Sequence, residues 1–389
     1  MKVLWTCMRF SPARGAVEDD LLRIGKILVK SGYDIDAATS DIQSSSPLKR
    51  VPEKKDIIDG ITVKRARAYR VNAEESTMFV PGIFRAVMAT DADIVHSHSF
   101  RLLSTYWAKK RRGKRWVVSP HYYSEMLERA AAGIDGRKGM MRRSEIQSMR
   151  KTLPFADAVV AENTLEAEHL RSVLELDLDN VRTIPRAIDF SRFEHTKDPG
   201  IFRKKFGVDG RVVLFAGKLE ASKGLDTLLE AVPAVVKEFI DARFVITGKD
   251  GGVRTRLEKK AKFLGIEDKV LFTGAVEPDM MLSAYSACDL FVLPPEYEAS
   301  GMALLEAMAC GKACIGTKTG LIPDALIHGK TGLLVEYGNR EILAERICQL
   351  LLDDHTRNRM GDAARERVKG HFTYEKVAGQ YDTLYADLA

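Results

Sequence analysis

The chain has 389 residues, 45% hydrophobic and 29% charged, a globular balance that excludes disorder, collagen and a disulfide scaffold. Its 60 basic and 54 acidic side chains give a net charge of +6. That excess is uneven: residues 1–190 hold 32 basic and 25 acidic side chains, residues 191–389 hold 28 and 29.

The first run, Met1–Met8, is apolar but ends at Arg9. It is too short for a signal-peptide core and reads as a buried first strand. No segment approaches the roughly 18 apolar residues of a membrane-spanning helix. The five cysteines (Cys7, Cys288, Cys310, Cys314, Cys348) are odd in number and dispersed. This predicts reduced thiols and a cytoplasmic protein. Cys310 and Cys314 lack partners to complete a four-ligand metal set.

Strand-like runs follow at Val3–Cys7, Ile94–His96, Trp116–Ser119, Ala158–Ala161 and Val181–Ile184. Helical stretches such as Glu18–Val29 lie between them. Ser44–Pro47 is a loop signal. The rhythm restarts at Val212–Ala216, with a helix over 223–238, and continues through Phe244–Thr247, Val270–Phe272, Leu290–Leu293 and Ala313–Gly316. Alternation with continuous hydrophobic strands predicts two doubly wound α/β domains with parallel sheets. The expected boundaries are 1–190 and 191–370, with a C-terminal helix in 371–389 packing back towards the first domain. Two facing domains of this kind would form a cleft at the carboxyl ends of their strands, where ligands bind.

Three segments after strands carry chemistry. In Ala216-Gly217-Lys218, followed by Lys223-Gly224, two ammonium groups stand near a helix start. This is either a seat for a diphosphate or a solvated loop with two surface lysines. In Pro294–Met308, Glu298 precedes an apolar helix and Glu306 lies within it. The first free amides, around Gly301, Met302 and Ala303, suit an anion, and the flanking carboxylates suit sugar hydroxyls. The third segment, Gly320–Asp324 with Gly329–Val335, offers glycines for close approach, as ordinary turns also do.

The spacing Glu298-x7-Glu306, the Gly217-Lys218…Lys223-Gly224 element and the stretch from Gly320 to Val335 resemble the retaining glycosyltransferases of family 4, the group 1 enzymes of GT-B fold. The resemblance is close over 211–370 and looser in the first half. It implies that Glu306 holds the ribose of a nucleoside-diphosphate sugar and that Glu298 contacts the transferred sugar. Lys218 and Lys223 would neutralise the leaving diphosphate. Gly217, Ser300, Gly301, Met302 and Ala303 would line the donor site. Gly15 matches the family's glycine loop, and His121 matches the histidine facing the transferred sugar. It also implies net retention, no metal and no cofactor, the nucleotide sugar being substrate. The acceptor would be a saccharide, a lipid-linked molecule or another small molecule. The chain departs from the family at Arg14 (usually Gly), Lys218 (usually Arg), Ala299-Ser300 (usually Gly-Phe), Arg186-Ala187 (usually Asn-Gly), Leu321 (usually Gly) and Asp324 (usually Glu). Arg14 crowds the acceptor side and suits an anionic acceptor. A nucleotide-sugar-binding scaffold without catalysis, and an epimerase or phosphorylase on the same fold, are the rival readings.

Asp91-Ala92-Asp93 precedes its strand and so lies at the wrong edge for a metal motif. His96 and His98 end a strand and are expected on opposite faces, with His96 structural and His98 towards the acceptor. Residues 101–151 hold 14 basic and 4 acidic side chains. With Trp107, Trp116, Met140 and Met141 nearby, this segment reads as a solvated helix end or as a face for an anionic membrane, at its inner side. No nucleic-acid module accompanies it.

Overall fold

A computed structural model describes residues 1–45, 47–72, 77–99, 114–121, 146–174, 180–195 and 197–389. The chain divides into two compact units: Met1–Ala187 with Tyr374–Ala389, and Ile188–Thr373.

The first unit is built on an eight-stranded sheet. Its order is Val181–Thr183, Ala158–Ala161, Arg115–Ser119, Ile94–His98, Lys2–Thr6, Asp34–Ser40, Ile61–Ala66 and Lys55–Ile58. All pairs are parallel except the last, where Lys55–Ile58 runs against Ile61–Ala66. Alternate residues feed two cores. Leu4, Val95, Trp116, Val118 and Val159 pack on one face; Val3, Trp5, Ile94, Val117 and Val160 pack on the other. Helices Ala16–Lys30 and Tyr374–Leu388 cover the second face, the latter through Val377, Ala378, Tyr381, Leu384 and Tyr385. Burying a large apolar side chain contributes about 1.5–3 kcal/mol, so this last helix is part of the first unit's core. The strand order reverses between Lys2–Thr6 and Ile94–His98, and the carboxyl ends there are the place for a ligand.

The second unit has a six-stranded sheet with the order Val270–Gly274, Ala242–Thr247, Arg211–Ala216, Leu290–Leu293, Cys314–Thr317 and Gly332–Val335, parallel throughout. Val212, Val213, Leu214 and Phe215 are all buried, as a strand covered on both faces must be. Its order reverses between Arg211–Ala216 and Leu290–Leu293, which puts Gly217 and Pro294 at that crevice.

Three local expectations are corrected. The helix expected from residue 223 begins at Leu225, after a 3-10 turn over Ala221–Lys223, because Gly224 adopts φ +68°. A Cβ there would meet the Pro294 carbonyl oxygen at 1.7 Å. Of the loop expected over Ser44–Pro47, Ser44 and Ser45 belong to the strand Ile42–Ser45, which pairs antiparallel with Leu48–Arg50. Trp116 is not a bilayer-facing side chain. It is fully buried, with its Nε1–H donating to Ser97 Oγ at 3.1 Å.

Candidate active site

In the second unit, Glu298 follows the buried strand Leu290–Leu293 and is 9% exposed. Its Oε2 accepts from Lys223 Nζ at 2.7 Å, and its Oε1 accepts from the Gly301 amide at 3.2 Å. Gly301, at φ +56°, is the N-cap of the helix Met302–Ala309 and has no side chain of its own to cap it. Lys223 is brought here by the turn before Gly224. A buried carboxylate needs such hydrogen-bond partners. The Glu298 backbone is fixed as well: its carbonyl accepts from the Leu321 amide at 3.1 Å.

Glu306 lies on the same helix and accepts from the Tyr285 hydroxyl at 2.8 Å. Burial pushes the Glu306 carboxyl above its ordinary range, opposed by the Tyr285 bond and the charge of Arg192. Burial also pushes the Tyr285 hydroxyl far up, reinforced by the charge of Glu306. Tyr285 escapes a reading of the sequence because its partner is 21 residues away on another helix. Lys218 differs from Lys223. It is exposed and paired with Glu220 beside it. Gly217, Ser300, Met302 and Ala303 are all partly exposed. Thus the structure joins Lys223, Glu298 and Gly301 by direct bonds, while Lys218 and Glu306 have other partners.

In the first unit, Gly15 caps the helix Ala16–Lys30, and Arg14 before it is exposed. Beside them Arg9 donates to Glu18 at 2.8 Å. His121 follows the strand Arg115–Ser119, with φ +48°. Its Nδ1 stands 2.7 Å from Glu162 Oε1, and its Nε2 stands 3.3 Å from His98 Nδ1. His98 is 2% exposed and packs behind His121. The opposite-face expectation for His96 and His98 is wrong. Residues two apart on a strand share a face, and the rings lie 3.9 Å apart. His96 is buried between the Tyr385 hydroxyl at 2.6 Å and Ser119 Oγ at 2.8 Å. Burial lowers the basicity of both histidines well below the ordinary range.

Asp91 is paired with Lys2 Nζ at 2.8 Å, and Asp93 accepts from the Lys2 amide at 2.8 Å. Among the described residues no cluster of three His, Cys, Asp or Glu side chains is placed to hold a metal ion. Among them, too, no helix is long and apolar enough to cross a membrane. The basic run Lys109–Arg112, Trp107, Met140 and Met141, and most of 101–151, lie outside the described residues.

Both units are Rossmann-like, and this is the fold of the GT-B glycosyltransferases. HepE of Anabaena, solved in complex with UDP, is similar over 100% of both chains, with a TM-score of 0.75 and 16% identity. Residues 198–367 match the family Glycosyl transferases group 1, and residues 18–192 match Glycosyltransferase Family 4. The chain belongs to these group 1, family 4 glycosyltransferases. It is 27% identical to N-acetyl-alpha-D-glucosaminyl L-malate synthase of Bacillus anthracis, over 100% of this chain and 97% of that one. It is 28% identical to D-inositol 3-phosphate glycosyltransferase of Corynebacterium jeikeium, over 76% of this chain and 72% of that one.

Proposed function

We propose that this glycosyltransferase moves a sugar, with retention and without a metal, from a nucleoside-diphosphate sugar to a hydroxyl of an anionic acceptor. The observation that carries the reading is the Glu298 carboxylate held between Lys223 and the Gly301 amide, at the start of an apolar helix. As the glycosidic bond to phosphate breaks, negative charge grows on the leaving diphosphate. Lys223, Lys218 and the helix amides would be the donors for it, and stabilising such charge is the main source of catalysis in sites of this kind. Glu298 would accept from hydroxyls of the transferred sugar and Glu306 from those of the ribose. His121 would face the transferred sugar. The acceptor hydroxyl would attack from the face the diphosphate leaves, its proton passing to the departing diphosphate oxygen.

The UDP in HepE supports a nucleotide donor. The names of the two relatives, with L-malate and D-inositol 3-phosphate, support a small anionic acceptor, and so does exposed Arg14 before Gly15. A lipid-linked acceptor is the alternative to be compared in the assay.

Thermal-shift panels of UDP, GDP and ADP with their sugars test the donor. One base should stabilise the chain, by about 2.7 kcal/mol at a hundredfold excess over Kd. Glu306→Ala should weaken that ligand roughly tenfold or more, the worth of hydrogen bonds to a charged group. No stabilisation by any of them would refute the donor assignment. In turnover, NMR of the first-formed product should show the donor's anomeric configuration, and EDTA should leave the rate unchanged. An inverted product or a loss of rate with EDTA would overturn the corresponding claim.

A further inference from the structure

We propose that Glu162 is a positioning residue for His121, and that Glu162 and His98 together fix the His121 imidazole from both sides. The proposal rests on the reading of His121 as the histidine facing the transferred sugar.

Glu162 stands at the carboxyl end of strand Ala158–Ala161, next in the sheet to the strand that delivers His121. Its carboxylate can only accept, so the 2.7 Å contact places a proton on His121 Nδ1. That leaves His121 Nε2 to meet His98 Nδ1 at 3.3 Å. The two rings lie nearly parallel, 23° apart in plane. Behind His98, 3.9 Å away, the ring of His96 is itself fixed at both nitrogens and backs the His98 ring.

Glu162 is equally constrained. Its amide donates to Glu166 Oε2 at 2.6 Å, and the amide of buried Glu166 donates to Asn163 Oδ1 at 2.8 Å. Burial works against the Glu162 carboxylate. The bond to His121 and the charge of Arg186 outweigh it and hold the carboxyl below its ordinary range. Arg186 also grips Asp20, with two N–H groups at 2.9 and 2.7 Å. These groups enclose a cavity of about 30 Å³ lined by His98, His121, Glu162, Asp20 and Arg186 among others. The left-handed backbone of His121 adds a reason for such bracing, since a non-glycine residue holds that conformation only where its surroundings enforce it. An imidazole fixed by a carboxylate on one nitrogen has one tautomer and one orientation.

The test uses the full chain labelled with 15N-histidine, the His121 signals being assigned by their loss in His121→Ala. In the wild type, His121 should show a protonated Nδ1. Glu162→Ala should shift these signals towards the tautomer mixture of free imidazole, and Glu162→Gln, whose carbonyl still accepts, should largely restore them. Unchanged His121 signals in folded Glu162→Ala would overturn the proposal. Glu162→Met, close in size but unable to accept from Nδ1, carries the same expectation and the same refuting outcome if the alanine variant does not fold.

Kinetics with UDP-, GDP- and ADP-linked glucose and N-acetylglucosamine supply the second arm. Glu162→Ala should lower kcat about tenfold or more, as loss of an orienting carboxylate does elsewhere, with donor KM little changed. It should add nothing in a His121→Ala background. Equal losses in both backgrounds would show that Glu162 acts independently, against the proposal. If His121→Ala leaves kcat unchanged, the reading of His121 falls while the NMR arm still decides the positioning.

Discussion

Replacing Glu298 by alanine is expected to lower kcat by about 10²–10³-fold, the cost of removing one preorganised polar group from a site where charge develops. The side chain is buried, so its loss is not made good by water. Two groups lose their acceptor at once: Lys223, only one-fifth exposed, and the Gly301 amide. Lys223 is then free to swing from the position in which it is proposed to meet the leaving diphosphate. Glu306, proposed to hold the ribose, is untouched, so donor KM should change far less than kcat, which is the pattern of an interaction used chiefly in the transition state. Glu298→Gln separates charge from shape. It keeps an acceptor for Lys223 and should retain most of the stability, yet lose most of the rate. Steady-state kinetics and Tm on both variants check this. A Glu298→Ala enzyme within about threefold of wild type would remove Glu298 from the reaction.

Gly320→Ala is expected to be the most damaging single methyl in the second unit. Gly320 sits at φ +51°, and a Cβ there would meet the Glu298 carbonyl oxygen at 1.6 Å. That neighbour is backbone, already bonded to the Leu321 amide, so no flexible side chain can yield. The left-handed conformation alone costs a non-glycine residue about 1–2 kcal/mol, and the collision adds to it. A loss of roughly 3–4 kcal/mol follows, or about 6–16 °C in Tm for a unit of this size. The Glu298 peptide must also shift, so surviving protein should have lost rate as well. Gly329→Ala is the control. Gly329 has φ +75° with nothing within 4 Å of a Cβ, so that variant should show only the conformational cost. Equal Tm losses in the two would show that the contact with Glu298 contributes nothing.

Much of the architecture was legible because it rests on local patterns. Val212–Ala216 is a continuous hydrophobic run, and only a strand covered on both faces needs one. Glu298 and Glu306 were legible through their spacing in a strand–proline–helix setting. What escaped depends on distance in the chain. In Ala161-Glu162-Asn163, the glutamate looks like any polar residue between a strand and a helix; only the fold brings it to His121, 41 residues earlier. Tyr285 likewise reads as an apolar helix residue until Glu306 is set opposite its hydroxyl. The histidines failed for another reason. The alternation of a strand places His96 and His98 on one face, and the opposite-face expectation misapplied it. The start of the helix at Leu225 was missed because Gly224 takes a left-handed turn imposed by the carbonyl of Pro294, a neighbour that no local sequence signal announces.

The helix Tyr374–Leu388 belongs to the first unit although it is the last stretch of the chain. A chain truncated after Thr373 would therefore lack the cover on one face of the first sheet. It would expose Trp5 and leave His96 without the Tyr385 hydroxyl, two residues from His98 and one further step from His121. For anyone building hybrids of such enzymes, the exchangeable module on this side is not the contiguous first half. It is residues 1–187 together with 374–389, and a chimera that swaps only the former inherits a mismatched wall behind its own histidines.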